Sequence, residues 1–208
     1  MQLSPTAFAK FLNFIGQDFD WRSAYACPCV NPHSGQANPQ CQHCWGKGRF
    51  WSEPVTGMAG IVGRSQLKKF SEFGPWDDGD VLLSIPYDSP LYDVGQYDRL
   101  SAVNKSEPFS INIVAGISDT LRFVPISIDR VFFMEGTHLI EIDPPDVDPG
   151  GVLQWHNGRP PSRVTYSITG RRVPEYYVYM DMPFDRPFHA GAQLPRRVVI
   201  RRFDLYGR

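Results

Sequence analysis

The sequence lacks any long apolar run. No stretch approaches the roughly 20 residues of a membrane-spanning helix. The start, MQLSPTAFAKFLNF, has neither the basic leader nor the continuous apolar core of a secretion signal. An excess of one charge is also missing: 21 Lys and Arg stand against 22 Asp and Glu, a net charge of -1. That balance argues against a chain whose main task is coating nucleic acid. No G-x-S-x-G elbow, phosphate-binding G-x-x-x-x-G-K-[ST] loop or H-E-x-x-H pair occurs. His138, His156 and His189 are scattered, each without a partnered nucleophile. Glu141, Asp143, Asp146 and Asp148 lie in a run broken by prolines, without the Asp-x-Asp-x-Asp-Gly spacing of a calcium loop. They read as a solvated acidic loop. The expectation is a soluble protein, made in a reducing compartment, that is not an enzyme.

Cysteine is absent from most of the chain. All four lie in CPCVNPHSGQANPQCQHC, from Cys27 to Cys44. Cys27-x-Cys29 is followed by eleven residues and then Cys41-x-x-Cys44. A reducing compartment disfavours disulfides, and C-x-C geometry disfavours a local one. Two close-spaced pairs instead suit the tetrahedral ligand set of zinc. His33 and His43 lie in the same stretch and could replace a thiolate, but four cysteines suffice. A closed four-thiolate site leaves no position for water or substrate, so the expected ion is one structural Zn2+ per chain. The loop has too few apolar residues for a core, and metal binding would supply its folding free energy. CQHCWGKG resembles one C-x-x-C-x-G-x-G unit of the zinc-binding region of DnaJ-type co-chaperones. The chain has no His-Pro-Asp, so that resemblance implies metal binding and no chaperone activity.

Proline and glycine are plentiful, 19 and 18 residues, and long helices are therefore not expected. Ser4-Pro5 reads as a helix start, with Phe8, Phe11, Leu12 and Ile15 at helical spacing and Gly16 as the end. Its Phe-rich face packs on its own domain or meets a partner. GRFWSEPV, AGIVG, DVLLSIP, FSINIV, RVTYSIT, EYYVYMDM and RRVVIRRFDL read as strands. ISIDRVFFMEGTHLIEID reads as a hairpin turning at Glu135-Gly136-Thr137. The fold class is mainly β: a barrel or sandwich with a short N-terminal helix (residues 1–20), a zinc-knuckle insertion (21–50) and a β-domain with long loops (51–208).

Tyr87, Tyr92 and Tyr97 recur every five residues, each followed by Asp. Five matches neither helix nor strand, so the segment reads as a loop anchored by tyrosines, either on a partner or over its own barrel. Near the end, Arg196, Arg197, Arg201, Arg202 and Arg208 surround Val198-Val199-Ile200. Three apolar residues in a row predict a strand covered on both faces. The arginines and the acidic loops at 88–98 and 141–148 would neutralise one another between copies in a ring, a heterologous contact.

Several stretches together resemble small neck, or head–tail connector, proteins of tailed bacteriophages. They are GDVLLSIPYDSPLY from Gly79, YDRL at Tyr97–Leu100, RVTYSITGRRVPEYYVY and LPRRVVIRRFDL. The similarity spans about residues 75–208 plus the cysteine loop. It implies a ring-forming structural virion protein, made in the host cytoplasm, with portal or adaptor proteins above and tail proteins below. DNA would pass through the lumen without sequence-specific binding, and no membrane is involved. A baseplate or tail-completion protein is the alternative reading. A zinc-stabilised nucleic-acid-binding module is the second, disfavoured because the cysteine loop carries only Lys47 and Arg49 beyond Cys44.

Overall fold

A computed structural model describes residues 4–44, 46–61, 80–117, 119–182, 188–189 and 191–206. Gly79 and Arg208, named above, lie outside them, as do residues 62–63 of the AGIVG stretch. The chain is mainly β, with one α-helix among the described residues. It divides into two units. The first comprises residues 1–104 and 175–208, and the second residues 105–174.

In the first unit, helix α1 (Pro5–Ile15) begins where the Ser4 side chain accepts from the Ala7 N–H, and ends with the Gly16 N–H on the Leu12 carbonyl. Then follow β1 (Gln17–Arg22), β2 (Ala24–Ala26), β3 (Arg49–Trp51), β4 (Val55–Ile61), β5 (Val81–Ile85) and β6 (Arg99–Ala102). The second unit holds β7 (Glu107–Val114), β8 (Ser127–Glu135), β9 (His138–Ile142), β10 (Asp146–Val147), β11 (Leu153–Gln154) and β12 (Thr165–Arg172). The chain returns to the first unit as β13 (Glu175–Asp181), β14 (Phe188–His189), β15 (Ala192–Gln193) and β16 (Arg196–Arg202).

Strands β1-β4-β5-β16-β13-β6 close into an antiparallel barrel, which leaves no free edge. Its interior holds Phe19, Ala59, Leu83, Ile85, Leu100, Val178, Val198 and Ile200. Val199 points the other way, against Leu82 and Met182. The run Val198-Val199-Ile200 is therefore buried on both faces, as its composition predicts. The second unit has its own four-stranded sheet, β7-β12-β8-β9, and its own core around Phe109, Ile113, Val131, Tyr166 and Ile168. The β8–β9 hairpin turns where expected, with Gly136 at φ 61°.

Three boundaries differ from the sequence reading. The barrel starts at Gln17, so the first twenty residues supply a strand as well as a helix. GRFWSEPV is two strands in two different sheets, interrupted before Val55 by Pro54, which has no N–H for a ladder. Residues 51–208 are not one β-domain, because Lys105–Pro174 form a separate unit inserted between the neighbouring strands β6 and β13. The helix also differs. Ala9 and Leu12 are its buried residues, whereas Phe8, Phe11, Phe14 and Ile15 are exposed. A Cβ on Gly60 would lie 2.6 Å from Leu12 Cδ2, so small residues let the helix sit close on β4. The large phenylalanines then flank that contact instead of filling it.

Candidate metal centre

The connection between β1 and β4 forms the cysteine loop. Its stem is the antiparallel pair β2–β3, with Ala24 opposite Trp51, Tyr25 opposite Phe50 and Ala26 opposite Arg49. Above the stem the chain makes successive tight turns. The Val30 N–H bonds to the Cys27 carbonyl (3.0 Å), and the Lys47 N–H to the Cys44 carbonyl (2.9 Å). At the apex the Asn31 side chain accepts from the N–H groups of His33 and Ser34, an Asx turn. Gly46 and Gly48 take φ of 76° and 73°, a conformation that favours glycine. This brings the Gly48 N–H to Cys44 Sγ at 3.3 Å.

The turns gather the four thiols. Cys27 and Cys41 Sγ are 3.8 Å apart and Cys29 and Cys44 Sγ 3.4 Å, with all four sulfurs within 4.8 Å of one another. Metal–sulfur bonds of ~2.3 Å place the sulfurs of a regular tetrahedron about 3.8 Å apart. The cluster fits that geometry, and the thiols are not joined as disulfides. Cys27 and Cys44 are buried; Cys29 and Cys41 are half-buried. The backbone N–H groups of Cys44 and His43 hold the Cys41 thiol down to about 6, while desolvation pushes Cys29 up to about 12. A divalent cation would relieve the mutual repulsion of four thiolates this close. The group can hold a metal ion. Neither His33 nor His43 belongs to it.

The loop is fastened at its base by contacts that the sequence pattern does not reveal. Asp98 is 5 % exposed and accepts three hydrogen bonds: from Trp21 Nε1 (2.6 Å), the Ala24 N–H (2.7 Å) and the Gly95 N–H (2.7 Å). One carboxylate thus joins a barrel strand, the first stem strand and the tyrosine loop. On the second stem strand, Trp51 Nε1 donates to the Tyr97 carbonyl at 3.1 Å. The Arg49 guanidinium lies 4.1 Å from the centre of the Tyr97 ring, and Lys47 Nζ lies 4.2 Å from that of Phe203.

The tyrosine loop covers its own barrel. A 3-10 turn at Pro90–Asp93 places Leu91 in the core, followed by Val94. A Cβ on Gly57 would lie 2.8 Å from Leu91 Cγ, so the close approach depends on that glycine. Tyr92 donates to the Leu194 carbonyl at 3.0 Å. Tyr97 takes φ of 74°, rare for a non-glycine residue, held by its N–H on the Val178 carbonyl. Tyr87 is the exposed member of the three.

The arginine strand is paired within the chain. Arg201 reaches Asp80 with two hydrogen bonds of 2.8 Å, from Nε and from one terminal nitrogen. Side-chain exposures there are 12 % and 2 %, and the guanidinium covers the Tyr179 ring at 3.9 Å. Arg196 binds Asp181 at 2.6 Å and the Tyr92 carbonyl at 2.7 Å; Arg202 lies 3.9 Å from Asp204. Arg197 is half-buried on the same strand. The expectation that these charges need a second copy for neutralisation is thus corrected for Arg196 and Arg201. In the acidic run, Glu141 is bound by Arg130 and Asp146 by His156.

No model of a known protein family matches the chain, and no curated protein matches it significantly.

Proposed function

We propose that this chain is a structural virion protein of a tailed bacteriophage, forming a ring in the neck that joins portal and capsid to the tail. One observation carries the reading. The stretches that resemble neck proteins are scattered in the sequence, yet within the first unit they supply β5, β16, β13 and β6. These are four successive neighbours in the closed barrel. The tyrosine loop from the same stretches contributes Leu91 and Val94 to the core. Within that unit, what resembles the family is therefore a contiguous piece of architecture, as expected for a protein that works by shape; RVTYSITGRR, the remaining part, supplies β12 of the second unit.

The cysteine group is read as a zinc site. Four soft thiolates at tetrahedral spacing suit Zn2+, and four ligands close the coordination sphere, so the ion stiffens a loop and performs no reaction. Its residues are Cys27, Cys29, Cys41 and Cys44. When bound, zinc would neutralise the thiolates and fix the apex above the stem.

Native mass measurement tests both parts. A ring and about one zinc per chain are expected, with the metal lost from Cys41→Ser. Antibody labelling of intact particles should mark the head–tail junction. A strictly monomeric protein absent from particles overturns the neck reading, and full metal in Cys41→Ser overturns the ligand set.

A further inference from the structure

Four cysteines allow three disulfide connectivities. The C-x-x-C spacing favours Cys41–Cys44, as in dithiol redox motifs. In the structure two separations that cross the loop are short, Cys29 to Cys44 at 3.4 Å and Cys27 to Cys41 at 3.8 Å. Closing either gap to the disulfide length of about 2.05 Å needs a movement of less than ~2 Å.

We propose that the cysteine group is an oxidative modification site, whose reaction with peroxide yields the crossed disulfides Cys29–Cys44 and Cys27–Cys41. This rests on the metal-site reading only for the ion released. In each pair one thiolate attacks one peroxide oxygen. The O–O bond breaks, hydroxide leaves, and a sulfenic acid forms. The other thiolate of the pair then attacks that sulfur, the S–S bond forms, and a second hydroxide leaves. Two protons turn the hydroxides into water. Each pair is oxidised by two electrons and one peroxide is reduced, so two peroxides consume four thiolates and free one divalent ion.

The crossed connectivity matters because each bond ties the Cys27–Cys29 half of the loop to the Cys41–Cys44 half, as the metal does. Local disulfides would leave the halves unconnected. The loop is therefore built to exchange a metal staple for a covalent one, holding shape in both reducing and oxidising surroundings.

The test titrates the purified full-length chain with hydrogen peroxide, in its metal-bound form and after chelation and reduction. Disulfides are mapped by non-reducing peptide mass spectrometry, and released metal and protease cleavage of residues 30–40 are followed. Crossed disulfides, two peroxides consumed per chain, and an oxidised loop as protease-resistant as the metal-bound one are expected. Cys29→Ser should retain only the Cys27–Cys41 bond. A Cys41–Cys44 bond, intermolecular bonds or sulfinic acids as the main product overturn the proposal. So does an oxidised loop cleaved as fast as the chelated, reduced one. Protein that never held metal counts against the zinc reading, while the mapping in the metal-free chain still decides the connectivity.

Discussion

Asp98 shows how one side chain can organise a site without touching the thiols. Its carboxylate receives three N–H groups from three segments, in a setting with almost no access to water. Removing it strands three donors, and charge-assisted hydrogen bonds of this kind contribute about 1.5–3 kcal/mol each. Asp98→Ala should therefore lower unfolding free energy by about 3–5 kcal/mol, read as a drop in the urea midpoint. A loss under ~1 kcal/mol would show that water replaces the carboxylate. Arg201 poses the complementary case. Its partner Asp80 has a side chain only 2 % exposed. Breaking a buried pair by removing one member leaves an uncompensated charge and costs about 3–5 kcal/mol. Arg201→Met should lose roughly that amount, and Arg201→Glu more, because two carboxylates would then share the site. The Asp80→Asn/Arg201→Met double variant should recover part of it. Neither arginine variant can report on ring contacts, since both act first on the subunit. Tyr87, exposed on the tyrosine loop, is the better probe of assembly.

At the scale of elements, the helix separates two kinds of apolar residue. Leu12 is buried against Gly60, whereas Phe14 is 89 % exposed. Leu12→Ala should cost about 2–4 kcal/mol, and Phe14→Ser should stay within about 0.5 kcal/mol. Equal effects in chemical denaturation would place the helix differently. The cysteine loop likewise divides into a held part and a dependent part. β2 and β3 are fixed by their ladder, by Asp98 and by Trp51, while residues 27–48 rely on turns and the thiol cluster. Chelation should speed hydrogen exchange across residues 27–48 and leave β2, β3 and the barrel protected. Uniform loss of protection in the barrel would contradict this division. Much of this was legible in sequence. Ser4-Pro5 marks the helix start, Gly136 the hairpin turn, and the uninterrupted Val198–Ile200 a doubly covered strand. All four thiols of the candidate site were evident from their spacing. β1 was not: Phe19 and Trp21 alternate with Asp18 and Asp20 over too short a span, squeezed between a helix and the cysteine loop. Nor could sequence pick Asp80 and Asp98 from the other acids. Their roles depend on ladders linking residues more than 70 positions apart, and no local pattern encodes those.

For the whole molecule, the decisive feature is how the second unit enters the chain. β6 and β13 are antiparallel neighbours, with Ser101 opposite Glu175, so the chain leaves the barrel and returns to it at adjacent points. Arg99 and Glu175, joined at 2.6 Å, link the same two strands. Lys105–Pro174 bring their own core and their own sheet, while the barrel core is drawn from the other unit. An insertion with adjacent ends and an independent core is the kind that chains tolerate losing. Replacing residues 105–174 by a short Asn-Gly turn should convert β6 and β13 into an ordinary hairpin. The shortened chain should keep the barrel, bind the same metal and unfold in one transition. Its denaturant slope should be reduced in line with the smaller surface exposed. The excised segment 105–174 should fold alone, with near-ultraviolet dichroism from Trp155 packed edge-on against Tyr166. A collapsed, metal-free barrel would show that the insertion is needed for closure. If the barrel survives, the same variant addresses assembly directly. Rings formed without the second unit would place the subunit contacts on the barrel, and their loss with an intact barrel would place them on the inserted sheet.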